Sequence, residues 1–285
     1  MFQMTSAELL TLNTKLRTVL YQFLDGSGDV LTLKSLTKLL HNHQWSARGN
    51  FYNIMQSKTN CANDCKYCYM KPMKKRFGQA DLEDFAMGMD DKKVAKKWRA
   101  GARPGPVLMF PSSHDIFPQF VDDYIAVVQK ILASGRQVLV VTKPRLDVVR
   151  RLVAAFGRHP DVTFRFTITT ADDAIRARWE HGAPSIDERM DALRFAFGAG
   201  CKTSVSIEPC LSDPMRVVEM VAPFVNDEIW IGGMSDMNKT GETDDEYARL
   251  TAIYSNWRRI IAEARASPFA DKIFWKTSVC KALMR

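Results

Sequence analysis

Short apolar runs alternate with amphipathic stretches over most of the chain. The apolar runs lie at 50–56, 107–111, 137–142, 162–169, 203–208 and 228–233. Their length and their Val, Ile, Phe and Thr content predict strands. Between them, Val121, Tyr124, Ile125, Val128 and Leu132 recur at the helical period. Leu146, Val149, Leu152, Val153 and Phe156 do the same, as do Met190, Leu193 and Phe197. These stretches predict helices over 121–133, 146–156 and 187–199. Strand–helix alternation predicts an α/β fold with a parallel sheet. Six units are two short of a closed eight-stranded barrel.

The flanks are helical. Residues 1–45 read as two amphipathic helices, the first opened by a capping box from Thr5 to Glu8. Leu9, Leu12, Leu16, Val19, Leu20 and Phe23 form its apolar stripe; Leu33, Leu36, Leu39 and Leu40 form that of the second. The stretch from Asp25 to Asp29 lacks the Gly at the sixth position and the Glu at the twelfth of a calcium loop, which are Val30 and Leu36, and reads as a plain turn. His41 and His43, near the end of the second helix, read as solvated. A second capping box, Thr243 to Glu246, introduces a helix over about 244–265, and Ile273-Phe274-Trp275 offers one more strand. The expected division is an N-terminal helical extension (1–45), a central α/β unit (46–240) and a C-terminal helix and strand (241–285).

Composition narrows the setting. Of 285 residues, 46% are hydrophobic, enough for a substantial core. No run of eighteen apolar residues occurs, so no transmembrane helix and no membrane partner are expected. Six cysteines without a signal peptide predict a reducing, cytoplasmic setting. The net charge of +8 favours an anionic partner. Residues 71–103 concentrate it, with ten basic and five acidic side chains. Such a run either contacts phosphates or forms a solvated helix face.

The most informative feature is the spacing Cys61-x3-Cys65-x2-Cys68. Three thiolates on one short loop can hold three corners of a 4Fe–4S cluster and leave one iron open. A structural zinc site would need a fourth protein ligand, and none follows at zinc-finger or zinc-ribbon spacing. Reactive groups gather at the C-terminal strand ends of parallel α/β barrels. That rule selects Ser113 and Asp115, Lys143, Thr167 and Thr169, and Glu208 with Cys210 two residues on. A buried Glu208 needs a partner. Cys210 is either a small buried hydrophobe or a hydrogen-atom donor.

The cysteine triplet with an aromatic residue before its last Cys resembles the radical S-adenosylmethionine (SAM) superfamily. Thr142-Lys143, the segment Trp179 to Arg189 and Ile207-Glu208-Pro209 resemble its spore photoproduct lyase-like members. Asp115-Ile116-Phe117, Trp230-Ile231-Gly232-Gly233 and Phe274-Trp275-Lys276 resemble a phage-associated group. The resemblance implies a partial (β/α)6 TIM-like barrel with an N-terminal helical extension and a C-terminal helix. It implies a 4Fe–4S cluster on Cys61, Cys65 and Cys68, SAM on its open iron, and a 5′-deoxyadenosyl radical that takes a hydrogen from a substrate. It implies an electron donor such as flavodoxin or ferredoxin.

Residue by residue, the resemblance assigns Lys143 to the SAM carboxylate and Ser113 and Asp115 to the amino group and nearby polar contacts. Thr167 or Thr169 goes to the ribose or methionine portion, Tyr67 to adenine and Glu208 to the ribose. Tyr69 matches a tyrosine that relays a radical in the lyase. Ser112 stands where the lyase carries its hydrogen-donating cysteine, which separates this chain from the lyase reaction itself. The substrate expected from the charge is a nucleic acid or nucleotide. The alternatives are a small metabolite or peptide, or an iron–sulfur protein that binds or transfers electrons without cleaving SAM.

Overall fold

The computed structural model describes residues 6–45, 51–57, 59–78, 87–99, 107–234, 237 and 243–284. Six strands form one parallel sheet in chain order: β1 (Leu108–Phe110), β2 (Val138–Thr142), β3 (Val162–Thr167), β4 (Lys202–Ile207), β5 (Ile229–Ile231) and β6 (Ile273–Trp275). Sequential parallel neighbours make the wall of a partial barrel, and all strand C-termini leave the sheet on the same side.

Side chains alternate across the sheet with period two. Phe164, Phe166, Val205, Ile207, Ile229 and Ile231 are fully buried on one face. They join one core with Val127 of α5 (Val121–Ala133), Val149 and Leu152 of α6 (Leu146–Phe156), Met190 and Leu193 of α8 (Ile186–Gly198), Val217 and Val218 of α9 (Pro214–Val221) and Val279 of α12 (Thr277–Leu283), and Val94 of α4 (Asp91–Ala95) packs against it. Each such side chain contributes roughly 1.5–3 kcal/mol. Arg165, Thr167, Ser204, Ser206 and Trp230 occupy the alternate positions. The register sets Arg165 opposite Ser204 and Ser206 opposite Trp230. That face is polar, with Arg165 bonded to Glu228 at 2.6 Å and to Ser204 at 2.9 Å.

The N-terminal helices α1 (Ser6–Leu24) and α2 (Val30–Trp45) pair through buried Leu12, Leu16, Leu20 and Leu33. They dock beside β6, where Arg17 donates to the Ala270 and Asp271 carbonyls. The turn between them is plain: the Asp29 carboxylate caps α2 through the Thr32 N–H. The Thr5 cap and the side chains of His41 and His43 lie outside the described residues. No helix among the described residues is long and apolar enough to cross a membrane.

Two expectations need correction. Residues 50–56 do not form a strand: within the described part, only Phe51 and Met55 make isolated bridges, to Met109 and Met89. The Ile54 and Met55 N–H groups instead donate to His114 Nε2 at 3.3 and 3.2 Å, so a side chain takes the donors a ladder would use. The sixth strand is therefore 273–275. The helix over 244–265 divides at Asn256 into α10 (Asp244–Ser255) and α11 (Trp257–Ala266). Its capping box does not close, because Glu246 accepts from the Trp179 indole at 3.0 Å and Thr243 accepts from Arg178 at 3.2 Å.

Candidate active site

The three cysteines lie on the loop that runs into α3 (Met70–Arg76). The loop folds on itself, with the Asp64 N–H donating to the Cys61 carbonyl and the Cys68 N–H to that of Cys65, both at 3.1 Å. Asp64 sits at φ 43°, a left-handed conformation that Asp tolerates better than most residues. Burial pushes the free Cys61 thiol up to about 11 and that of Cys65 up to about 12. Such thiols ionise at neutral pH only beside a strong positive centre.

Among the described residues, no three His, Cys, Asp or Glu side chains form a group that would hold a single metal ion. Thiolates that each serve a different iron of a cluster need not converge on one point. The donor set, three thiols on one tight loop, fits a cluster better than a closed zinc site.

The segment after α7 (Asp173–Trp179) clasps this loop. Glu180 bridges Cys65, the Lys66 N–H donates to the Trp179 carbonyl at 2.9 Å, and the Gly182 N–H donates to the Asn63 carbonyl at 3.1 Å. A Cβ on Gly182 would stand 2.0 Å from the Ala62 carbonyl oxygen, so only glycine permits this approach. Asn63 is buried and donates to Asp115 Oδ2 at 2.6 Å, while its own oxygen accepts from Arg145 at 2.8 Å. Arg145 also donates to the Gly182 carbonyl at 2.6 Å. Asp115 further accepts from the Thr142 hydroxyl, from the Lys143 N–H at 3.0 Å and from the Ile116 N–H at 2.9 Å. One carboxylate thus joins the cysteine loop, the turn after β1 and the end of β2.

A second network lies behind Cys65. Glu180 is fully buried and accepts from Arg189 at 2.5 Å and from the Tyr67 hydroxyl. Arg189, also fully buried, reaches the Pro184 and Thr167 carbonyls at 3.0 and 3.2 Å. The Lys143 ammonium stands 3.9 Å from Glu180 and 5.6 Å from the centre of the Tyr67 ring. Burial alone would raise the Glu180 carboxyl, but Arg189 and then Lys143 outweigh it and hold the group below its ordinary range. Burial alone would depress Lys143, but Cys65 in its thiolate form and the Glu180 and Asp115 carboxylates reverse the direction and favour the charged ammonium.

The remaining strand-end residues divide. The Thr169 hydroxyl is buried with no hydrogen-bond partner among the described residues, a polar atom left open beyond the end of β3. Thr167 is buried at the end of the same strand. Glu208 pairs with Lys276 at 3.3 Å, and a Cβ on Gly232 would lie 2.6 Å from its Oε1. Ser113 is held through its N–H by Asn53 at 3.0 Å, as Ser112 is at 2.7 Å. The Tyr69 ring is 52% exposed and its hydroxyl donates to the Ser112 carbonyl at 3.2 Å. Cys210 is fully buried within the apolar core, where burial pushes its thiol up.

The structure therefore brings Cys61, Cys65, Cys68, Tyr67, Asp115 and Lys143 into one connected region. Asn53, Asn63 and Arg145 complete the surroundings and were not singled out by the sequence; Gly182, Arg189 and Lys276 entered there only within the stretches quoted for the resemblance. The usable signal was polar residues placed just beyond predicted strands, as for Arg145 and Lys276.

The family model of the radical SAM superfamily matches residues 55–211. No curated protein matches the chain. Among solved structures, the chain is similar to spore photoproduct lyase complexed with dinucleoside spore photoproduct, at 17% identity and a TM-score of 0.46, covering 71% of this chain and 59% of that one. It is also similar to Streptococcus suis SuiB bound to precursor peptide SuiA, at 12% identity and a TM-score of 0.50, covering 79% of this chain and 48% of that one. The chain spans less than two thirds of the length of either, and the likeness to SuiB is one of fold.

Proposed function

We propose, from the premise that this chain belongs to the radical SAM superfamily, that Cys61, Cys65 and Cys68 hold its 4Fe–4S cluster and that its substrate is a nucleic acid or nucleotide. When bound, the cluster and SAM supply a one-electron cleavage whose 5′-deoxyadenosyl product takes a hydrogen atom from a substrate. The chain's own residues bind and orient. Lys143, kept charged by its neighbours, takes the SAM carboxylate. The open Thr169 hydroxyl, Thr167 and Glu208 meet the ribose and methionine portions. Tyr67 lies behind the loop against adenine, and Ser113 contributes to the amino-group contacts. Asp115 acts here as a positioning residue, since its two oxygens already accept from Asn63, Thr142, Lys143 and Ile116. Of the two hydrogen-transfer candidates, Tyr69 has the accessible side chain and Cys210 is sealed in the core.

The observation that carries this reading is the joining of the cysteine loop to the ends of β1 and β2 through Asn63 and Asp115. It sets the Lys143 ammonium beside the loop with Glu180 as its counter-ion. The test is a pair of variants. Cys65→Ala abolishes cluster and turnover. Lys143→Ala retains iron and sulfide but weakens SAM binding roughly tenfold or more, as loss of a charge-assisted contact implies. Full SAM affinity in the second variant refutes the assignment.

Exposed Lys92, Lys97 and Arg99 support a polyanionic substrate. Salt-dependent binding of DNA or RNA tests it. Lys71, Lys74 and Lys93 are instead engaged by Asp64, the Thr59 carbonyl and the Met55 carbonyl, which favours a second reading, a small metabolite or peptide. Indifference to polyanions selects that reading.

A further inference from the structure

We propose that the exposed face of α3 is the docking surface for an acidic one-electron carrier protein. The proposal rests on the radical SAM reading and names the face through which the electron enters. Helix α3 starts two residues after Cys68. Tyr69, Met73 and Phe77 recur every fourth residue along it and are 52%, 46% and 61% exposed. The opposite side is anchored, because Lys74 is buried on the Thr59 carbonyl and Lys71 pairs with Asp64. The stripe is thus a fixed surface. Arg76 is exposed beside it, with its guanidinium 5.8 Å from the centre of the Phe77 ring. Asp64, the acid of the preceding loop, is already engaged by Lys71 and faces His181 at 3.6 Å.

Three features select the occupant. Tyr, Phe, Met and Arg are the residue types enriched in protein–protein interface cores, where Lys is depleted. A phosphate-tracking surface would instead be led by Lys and Arg. The stripe is small, and transient redox encounters bury the least area of protein complexes. Its charged border is basic, which steers an acidic partner and raises its association rate. Tyr69 is covalently joined to Cys68, so a partner on this stripe comes within one residue of a cluster ligand. The step is a bare electron transfer: the carrier loses one electron, the cluster gains it, and no bond or proton moves.

The experiment uses the full reconstituted chain and a flavodoxin of strongly negative net charge. Iron and sulfide content, and 5′-deoxyadenosine formed with dithionite, are measured first, so that failure of the radical SAM reading shows separately. Calorimetry then measures flavodoxin binding, and anaerobic stopped-flow follows cluster reduction by flavodoxin and by dithionite. In R76E and F77A, flavodoxin affinity and the flavodoxin-driven rate are expected to fall tenfold or more, while cluster content and the dithionite rate stay unchanged. Equal slowing with both reductants overturns the proposal. So does unaltered flavodoxin binding, with or without a loss of affinity for a single-stranded oligonucleotide.

Discussion

Replacing Gly182 with alanine adds one carbon at the closest backbone approach around the cysteine loop. The new Cβ would lie 2.0 Å from the Ala62 oxygen, 3.0 Å from the Ala62 carbonyl carbon and 3.1 Å from the Asn63 Cα. These are backbone atoms, so no rotamer change relieves the clash. Gly182 cannot simply withdraw either, because its N–H donates to Asn63 and its carbonyl accepts from Arg145. Overpacking of this kind costs about 1–3 kcal/mol, and one broken hydrogen bond adds about 1 kcal/mol. A loss of about 2–4 kcal/mol lowers the melting temperature of a 285-residue chain by roughly 3–7 °C. Because the loop must shift, iron and acid-labile sulfide per chain fall as well. Thermal unfolding of the metal-free chain, followed by metal analysis after reconstitution, measures both. Gly198→Ala is the control, since nothing stands within 4 Å of a Cβ there. An unchanged melting temperature with full iron in Gly182→Ala would refute the clasp.

Arg189→Met leaves the Glu180 carboxylate buried beside a more distant Lys143, so unfolding free energy falls by about 3–5 kcal/mol. A change below about 1 kcal/mol in a denaturant titration refutes the pairing. His114 predicts a pH dependence, because burial drives it down to about 3 while both ring nitrogens stay engaged, Nε2 by two backbone N–H groups and Nδ1 by Tyr124 at 2.7 Å. Above its ordinary value near 6.5 the ring is neutral folded and unfolded. As pH falls below that value, only the unfolded chain takes up the proton, so stability drops by about 1.4 kcal/mol per pH unit toward pH 3. His114→Asn removes this contribution to the slope; an identical slope in the variant refutes it.

The sheet was legible because β1, β2, β5 and β6 are short apolar runs and β3 and β4 alternate apolar with polar positions, as Phe164 and Phe166 do with Arg165 and Thr167. Residues 50–56 failed for a local reason. Their composition suits a strand, but His114, sixty residues on, takes two of their donors, and no periodicity reveals that. Cys61, Cys65 and Cys68 stood out by their spacing alone, and the structure keeps them on one tight loop. Glu180 was visible only as part of the segment Trp179 to Arg189, within which Ser185 caps α8 by accepting from the Glu188 N–H at 3.2 Å. Its ion pair with Arg189 depends on the turn between them, which local pattern does not encode. Arg145 was missed because it serves the loop from a different part of the chain, and Asn63, on the loop itself, because its partners Asp115 and Arg145 are distant in sequence.

The buried charges around the loop explain how an ammonium can wait there. Lys143 and Arg189 face Glu180 and Asp115, two cations against two carboxylates. An unpaired charge at such depth costs several kcal/mol, so the balance lets the fold hold Lys143 charged from its own resources. Glu180 is not committed chiefly to Lys143: Arg189 at 2.5 Å and the Tyr67 hydroxyl take its oxygens first. At 3.9 Å the Lys143 ammonium feels that carboxylate without being hydrogen-bonded to it. On the proposed role, an incoming carboxylate would meet a cation largely shielded from water, and its binding would break no short contact. That combination, charge secured electrostatically and donors left uncommitted to Glu180, is what a lysine offers and a bidentate arginine would not.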